Sequence, residues 1–166
     1  TQTLTGRGVR YKSPARVVDE IELLRNQWHI DGFYFYDDTF TLKKKHTKGI
    51  CEELVRRKID LPWGCQTRVN TINEPLVVQM KEAGCVQMEF GVEAGNERGW
   101  HILKKEIKRE QVVSAFALAN KMGIRTLANF MVNIPGETEQ DIQDIQNLIR
   151  EIKPTAYLAN VMCPYP

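Results

Sequence analysis

Serine and closely spaced thiols are scarce in this sequence, and their scarcity excludes several chemistries. Ser13 and Ser114 are the only serines, and both fall at helical positions, so a serine nucleophile is not expected. The four cysteines, Cys51, Cys65, Cys85 and Cys163, include no pair at the close spacing that zinc or iron–sulfur ligation uses. All four read as small buried residues in a reducing compartment. His29, His46 and His101 do not stand at ligand spacing from a cysteine or a carboxylate, so no metal ligand is expected within the chain. A glycine-rich phosphate loop is also missing. No apolar stretch approaches the roughly 18 residues of a membrane helix. The first residues, TQTLTGRGVRYKSP, lack the apolar core of a signal peptide, and the expectation is a cytoplasmic protein. A net charge of +2 is too small to imply a nucleic-acid partner, and the lysine clusters at 43–45 and 104–105 read as solvated faces. The sequence does not begin with Met, as expected of a piece of a longer protein.

Helix and strand patterns alternate about every 30 residues. Hydrophobic residues make up 42% and charged residues 27%, enough for one domain over 1–166 with a real core. Ser13 can cap a helix with Pro14 at its first position, and Val17, Val18, Ile21, Leu24 and Trp28 recur at helical spacing. A strand over 32–36 follows, ending in Asp37-Asp38. The next helix is expected from about Leu42 to Arg57, and a second strand from Trp63 to Arg68. Asn73 can cap a helix that Gly84 stops, and a third strand covers 86–92. A short helix over 97–104 and a stronger one ending at Gly123 lead to a strand over 125–134. Thr138-x-x-Asp141 resembles a capping box ahead of a helix carrying Ile142, Ile145, Ile149 and Ile152, and a fifth strand covers 156–162. Such alternation implies a parallel sheet, and near-continuous apolar strands imply helices covering it. A doubly wound sheet and part of a β/α barrel both fit, and in both ligands gather at the C-terminal strand ends.

Those ends carry the candidate site. Asp37-Asp38-Thr39 could accept hydrogen bonds from an ammonium group, although Asp38 or Thr39 could instead cap the next helix. Arg68 could hold a carboxylate through a bidentate pair, or pair internally with Asp37 or Glu93. Glu93, in Gly91-Val92-Glu93-Ala94-Gly95, could bind a ribose diol, with a lysine as its competing partner. Ile134-Pro135-Gly136-Glu137 reads as a tight turn that could present backbone groups to a planar base.

Together these segments resemble the radical S-adenosylmethionine superfamily. The resemblance is carried by Arg10-Tyr11-Lys12-Ser13-Pro14, Phe35-Tyr36-Asp37-Asp38-Thr39-Phe40-Thr41, Cys65-Gln66-Thr67-Arg68-Val69-Asn70, Phe90-Gly91-Val92-Glu93-Ala94-Gly95 and Ile134-Pro135-Gly136-Glu137-Thr138. It is strongest to the branch with a cobalamin-binding domain, and within it to the anaerobic magnesium-protoporphyrin monomethyl ester cyclase group. The resemblance implies an α/β fold, a partial (β/α)6 TIM-like open barrel missing its first strand. It implies a 4Fe–4S cluster on a C-x-x-x-C-x-x-C loop that this sequence lacks, S-adenosylmethionine beside it, and cobalamin in an upstream domain. The implied reaction is reductive cleavage to a 5′-deoxyadenosyl radical that abstracts hydrogen, with a porphyrin ester or another small molecule as substrate. A methyl- or methylthio-transferase of the same superfamily is the alternative. As an isolated unit without cluster ligands, the chain is expected to be a non-catalytic folding or binding unit with no catalytic residue of its own. On this resemblance Asp37, Asp38 and Thr39 would face the methionyl amine, Arg68 the carboxylate, Glu93 the ribose, and Ile134 with Pro135 the adenine. Ala94 and Asn96 depart from the serines frequent after the family's glutamate, and Gly99-Trp100 is unusual in the short helix. An unpaired barrel edge would favour a homodimer or a rearranged edge.

Overall fold

A computed structural model describes residues 10–163. In chain order the described elements are α1 (Pro14–Trp28), β1 (Phe33–Phe35), α2 (Lys44–Arg56), β2 (Trp63–Thr67), α3 (Glu74–Glu82), β3 (Cys85–Glu93), α4 (Glu97–Ile102), α5 (Arg109–Lys121), β4 (Arg125–Val132), α6 (Glu139–Ile152) and β5 (Ala156–Val161). The caps form where side-chain chemistry supports them. Ser13 accepts from the Arg16 N–H, Asn73 from Leu76, and Thr138 with Asp141 closes the capping box. Gly84 and Gly123 take the left-handed conformation at their helix ends, with φ of 94° and 63°.

Strand order separates the two architectures that the sequence leaves open. The five strands pair in parallel in the order β1-β2-β3-β4-β5. Right-handed crossovers that always step the same way put every helix on one face, whereas a doubly wound sheet needs a reversal. The result is an open barrel segment with one helix-covered face and one concave face. Burial follows that division. In β3 the buried Met88, Phe90 and Val92 alternate with the half-buried Gln87, Glu89, Gly91 and Glu93.

The core lies between sheet and helices. Trp63 is fully buried, donates through Nε1 to the Ala83 carbonyl at 2.7 Å, and packs edge-on against Phe35 and Phe40. Cys51, Cys65 and Cys85 are buried, as expected, and burial pushes the Cys51 thiol up to about 12. Cys163 departs from the expectation: it is exposed just past β5, a strand exposed along its whole length because no described helix covers it. Several boundaries also differ, three of them informatively. Helix α2 starts at Lys44 behind Lys43, which makes no side-chain cap, so neither Asp38 nor Thr39 caps it. As an edge strand, β1 pairs only over Phe33–Phe35. Strand β4 ends at Val132 because Asn133 turns to a φ of 63° and gives its N–H to Glu137.

A close contact fixes the turn after β3 against α6. A Cβ on Gly95 would lie 2.2 Å from the Ile145 nitrogen, so only glycine lets the helix backbone sit there. Beside it, the Asn96 amide donates to Asp141 at 2.9 Å and Asp144 at 2.7 Å, and Arg98 pairs with Asp141 at 2.6 Å. Donation from Asn96 and Thr138 holds the buried Asp141 carboxyl well below the usual carboxylate range. Its stabilisation is therefore complete above about pH 4, the ordinary unfolded value, and is lost as pH falls through the lower folded value. Asp141→Asn is expected to cost about 2 kcal/mol at pH 7, with the gap to wild type narrowing below about pH 4 in urea unfolding. Gly95→Ala is expected to cost about 3 kcal/mol in the same measurement.

Candidate functional site

The concave face holds a cavity of about 390 Å³ at the C-terminal rim of the strands. Each wall comes from a different unit. Asp38 and Thr39 follow β1, Gln66, Thr67 and Arg68 end β2, and Glu89, Gly91 and Glu93 lie along β3. Leu103, Lys104 and Lys105 follow α4, and Asn129 rises from β4. Leu103 is the one aliphatic side chain in that lining, so the cavity suits a polar ligand.

Local contacts set the loop positions. The Phe40 N–H donates to the Gln66 carbonyl at 3.0 Å, which ties the loop after β1 to the end of β2. Beneath it the hydroxyls of Thr41, Thr67 and Thr71 meet, with Thr41 and Thr67 buried. The Thr71 hydroxyl donates onward to the Arg68 carbonyl at 2.8 Å. Asp38 and Arg68 are thus presented by two loops fastened together from below.

Glu93 sits at a register irregularity between Gly91 and Glu93, with φ of 70°. A non-glycine residue in that region is uncommon, and a bulge there re-aims its side chain. The Glu93 carboxylate accepts from Lys105 at 2.8 Å, and both side chains are largely shielded. Burial lowers the Lys105 pKa, opposed by Glu93 and assisted by the Arg68 charge. Arg68 forms no ion pair among the described residues, so the alternative of an internal pair with Asp37 or Glu93 is not realised there, and Glu93 takes the lysine.

Asp38, Thr39, Arg68 and Glu93 therefore share one cavity. Asp37 is exposed beside it. Ile134 and Pro135 follow the C-terminal end of β4 on the same rim, Ile134 buried and Pro135 exposed, and neither lines the cavity. Gly99 and Trp100 are packing residues under the rim: a Cβ on Gly99 would lie 2.5 Å from the Ala94 Cβ, and Trp100 Nε1 donates to the Val92 carbonyl at 2.8 Å. Sequence reading missed Glu89, Leu103, Lys104, Lys105 and Asn129 as lining residues. The signal for β3 was the alternation Gln87-x-Glu89-x-Gly91-x-Glu93, a polar face every second residue in a strand otherwise buried.

The thiols do not fit an iron–sulfur cluster. Cys51, Cys65 and Cys85 are buried in the core, and Cys163 lies alone at the end of β5. No group of three or more His, Cys, Asp or Glu side chains able to hold a metal occurs among the described residues.

Residues 2–149 match the family model described as the radical SAM superfamily. The chain belongs to the radical S-adenosylmethionine superfamily. It is 31% identical over 161 residues to an uncharacterized methyltransferase of Pyrococcus horikoshii, covering 97% of this chain and 35% of the relative. It is 32% identical over 162 residues to the anaerobic magnesium-protoporphyrin IX monomethyl ester cyclase of Rubrivivax gelatinosus, covering 96% of this chain and 29% of the relative. The chain thus spans about a third of these relatives' length. The fold is shared with the radical S-adenosylmethionine methyltransferase TsrM from Kitasatospora setae, solved with cobalamin and a 4Fe–4S cluster bound. That match has a TM-score of 0.79 at 23% identity and covers 94% of this chain and 32% of that one. The architecture is the TIM-like partial barrel expected of the superfamily.

The Glu93–Lys105 pair is open to direct test. Glu93→Gln removes the interaction that raises Lys105 and leaves burial and Arg68 to lower it. The Lys105 ammonium is then expected to titrate at lower pH than in wild type, read by NMR of the lysine Cε and Nζ nuclei.

Proposed function

We propose that this chain is the S-adenosylmethionine-binding part of a radical enzyme. The carrying observation is one polar rim cavity that gathers Asp38, Thr39, Arg68 and Glu93. On this reading Asp38 and Thr39, with Asp37 beside them, receive the methionyl ammonium. Arg68, which forms no ion pair among the described residues, takes the carboxylate through a charge-assisted contact. Glu93 takes the ribose hydroxyls, with Lys105 holding its carboxylate in place. Ile134 and Pro135 form the adenine edge of the rim. When bound, S-adenosylmethionine supplies a reducible sulfonium and, from it, a carbon radical for hydrogen abstraction. This chain's residues orient that group and shield it from water.

The 4Fe–4S cluster does not fit this chain's own thiols, so its ligands and any cobalamin are assigned to other parts of a longer protein. The isolated chain is accordingly read as an inactive binding unit. Two reactions remain for the parent: oxidative cyclisation of a magnesium-porphyrin ester, and methyl or methylthio transfer. The polar lining supports the second reading within this cavity, because a flat apolar macrocycle needs apolar walls and Leu103 alone offers one. A porphyrin would have to rest mainly on surfaces beyond it. The edge strand β1 supports self-association of the isolated chain.

In the full-length protein, Arg68→Ala and Glu93→Ala are each expected to weaken S-adenosylmethionine binding at least tenfold by calorimetry, about 1.4 kcal/mol apiece. The exposed control Lys121→Ala is expected to change nothing. Equal affinity in all four proteins would refute the rim assignment. The isolated chain is expected to sediment as a dimer at high concentration, and a strictly monomeric species would refute the edge-pairing reading.

A further inference from the structure

The floor of the cavity holds a polar network that the rim assignment does not use. Glu89 lies on β3 four residues before Glu93, roughly 13 Å deeper along the strand. Its carboxylate accepts from Tyr34 Oη at 2.9 Å, from Gln66 Nε2 at 3.4 Å and from Asn129 Nδ2. These donors come from β1, β2 and β4, so four strands converge on one carboxylate. The inside of a closed barrel is ordinarily filled with branched aliphatic side chains, and a polar floor departs from that. Gly64 is part of the arrangement. A Cβ there would lie 2.8 Å from the Tyr34 ring, so the missing side chain lets the ring lie across β2 toward Glu89.

The network is not self-sufficient. All three donors are neutral, and no described cation pairs with Glu89, whereas Glu93 above it has Lys105. A carboxylate has about four lone-pair positions, so at least one is unspent. Asn129 Oδ1 is buried without a hydrogen-bond partner among the described residues. Both unspent atoms are acceptors, so the floor asks for donors and not for a further acceptor. A partly buried carboxylate without a counter-charge favours a cationic donor over a neutral one.

We propose that the cavity floor is a substrate subsite for a primary amine, with the Glu89 carboxylate receiving the ammonium and Gln66 and Asn129 helping to hold that carboxylate in place. This deepens the rim reading and rests on it, since S-adenosylmethionine above would leave the floor to the substrate. The substrate class is a small amine, not a carboxylate lacking a cationic group.

The test uses the full-length protein with S-adenosylmethionine at saturation, so that the rim acids are occupied. Benzylamine and benzoate serve as probes of matched shape and opposite charge, followed by saturation-transfer NMR and calorimetry. Benzylamine is expected to bind and benzoate not. Glu89→Gln keeps the side-chain shape and is expected to lower benzylamine affinity at least tenfold while S-adenosylmethionine affinity changes less than twofold. Tyr34→Phe removes a competing donor but leaves the charge, and is expected to retain benzylamine binding. Equal binding of the two probes, no benzylamine binding to wild type, or an unchanged affinity in Glu89→Gln overturns the subsite. If Glu89→Gln does not fold, the wild-type contrast between amine and acid decides alone. If S-adenosylmethionine itself does not bind, the rim reading fails, and the loss of benzylamine affinity in Glu89→Gln without it still decides the floor.

Discussion

The constraint on which this structure depends is the unbroken sequential order of five parallel strands. Each crossover moves one strand further in the same direction, so each helix lands on the same face. The opposite face then curves inward, and the loops after successive strands meet along one rim. No single residue makes the site. The topology brings the segments after β1, β2 and β3 within reach of one ligand, although long stretches of chain separate them. The small contacts serve that arrangement. The threonine hydroxyls fasten two loops from beneath, and the glycine under α6 sets the height of a third.

Much of this was legible in the sequence. Ser13-Pro14, Asn73 and Thr138-x-x-Asp141 marked helix starts because their side chains satisfy the free N–H groups there. Gly84 and Gly123 marked ends because a positive φ is easy for glycine. Strand ends were identifiable by where apolar runs met acids and glycine. The start of α2 was less legible, since Lys43-Lys44-Lys45 gives no capping signal and the helix begins behind a lysine.

Lateral relations were hidden for a different reason. Tyr34 and Glu89 are 55 residues apart, and their contact depends on the register between strands. That register slips at Trp63/Gly64 and again at Gly91/Glu93. Reading the strands as near-continuous apolar runs also concealed the polar face of β3, where every second residue faces inward. The partner of Glu93 was foreseen only as a lysine. In the turn after α4 it is Lys105 that reaches the carboxylate, one residue past Lys104, which adopts a left-handed conformation. Cys163 was misread because its neighbours resemble a buried strand, while no described helix covers β5.

Among the described residues no helix covers β5, and within them the two sides of the cavity differ in mechanical character. On one side, Glu93 and Arg68 stand on strands roofed by packed helices and an aromatic cluster. On the other, Asn129 stands on β4, whose outer neighbour is held by a single ladder and little else. Local opening is cheapest where packing is thinnest, so thermal fluctuation will enter from that flank. Residues 10–163 taken by themselves thus pair a stiff jaw with a compliant one, and a ligand seated between them would be gripped from one side and accommodated from the other.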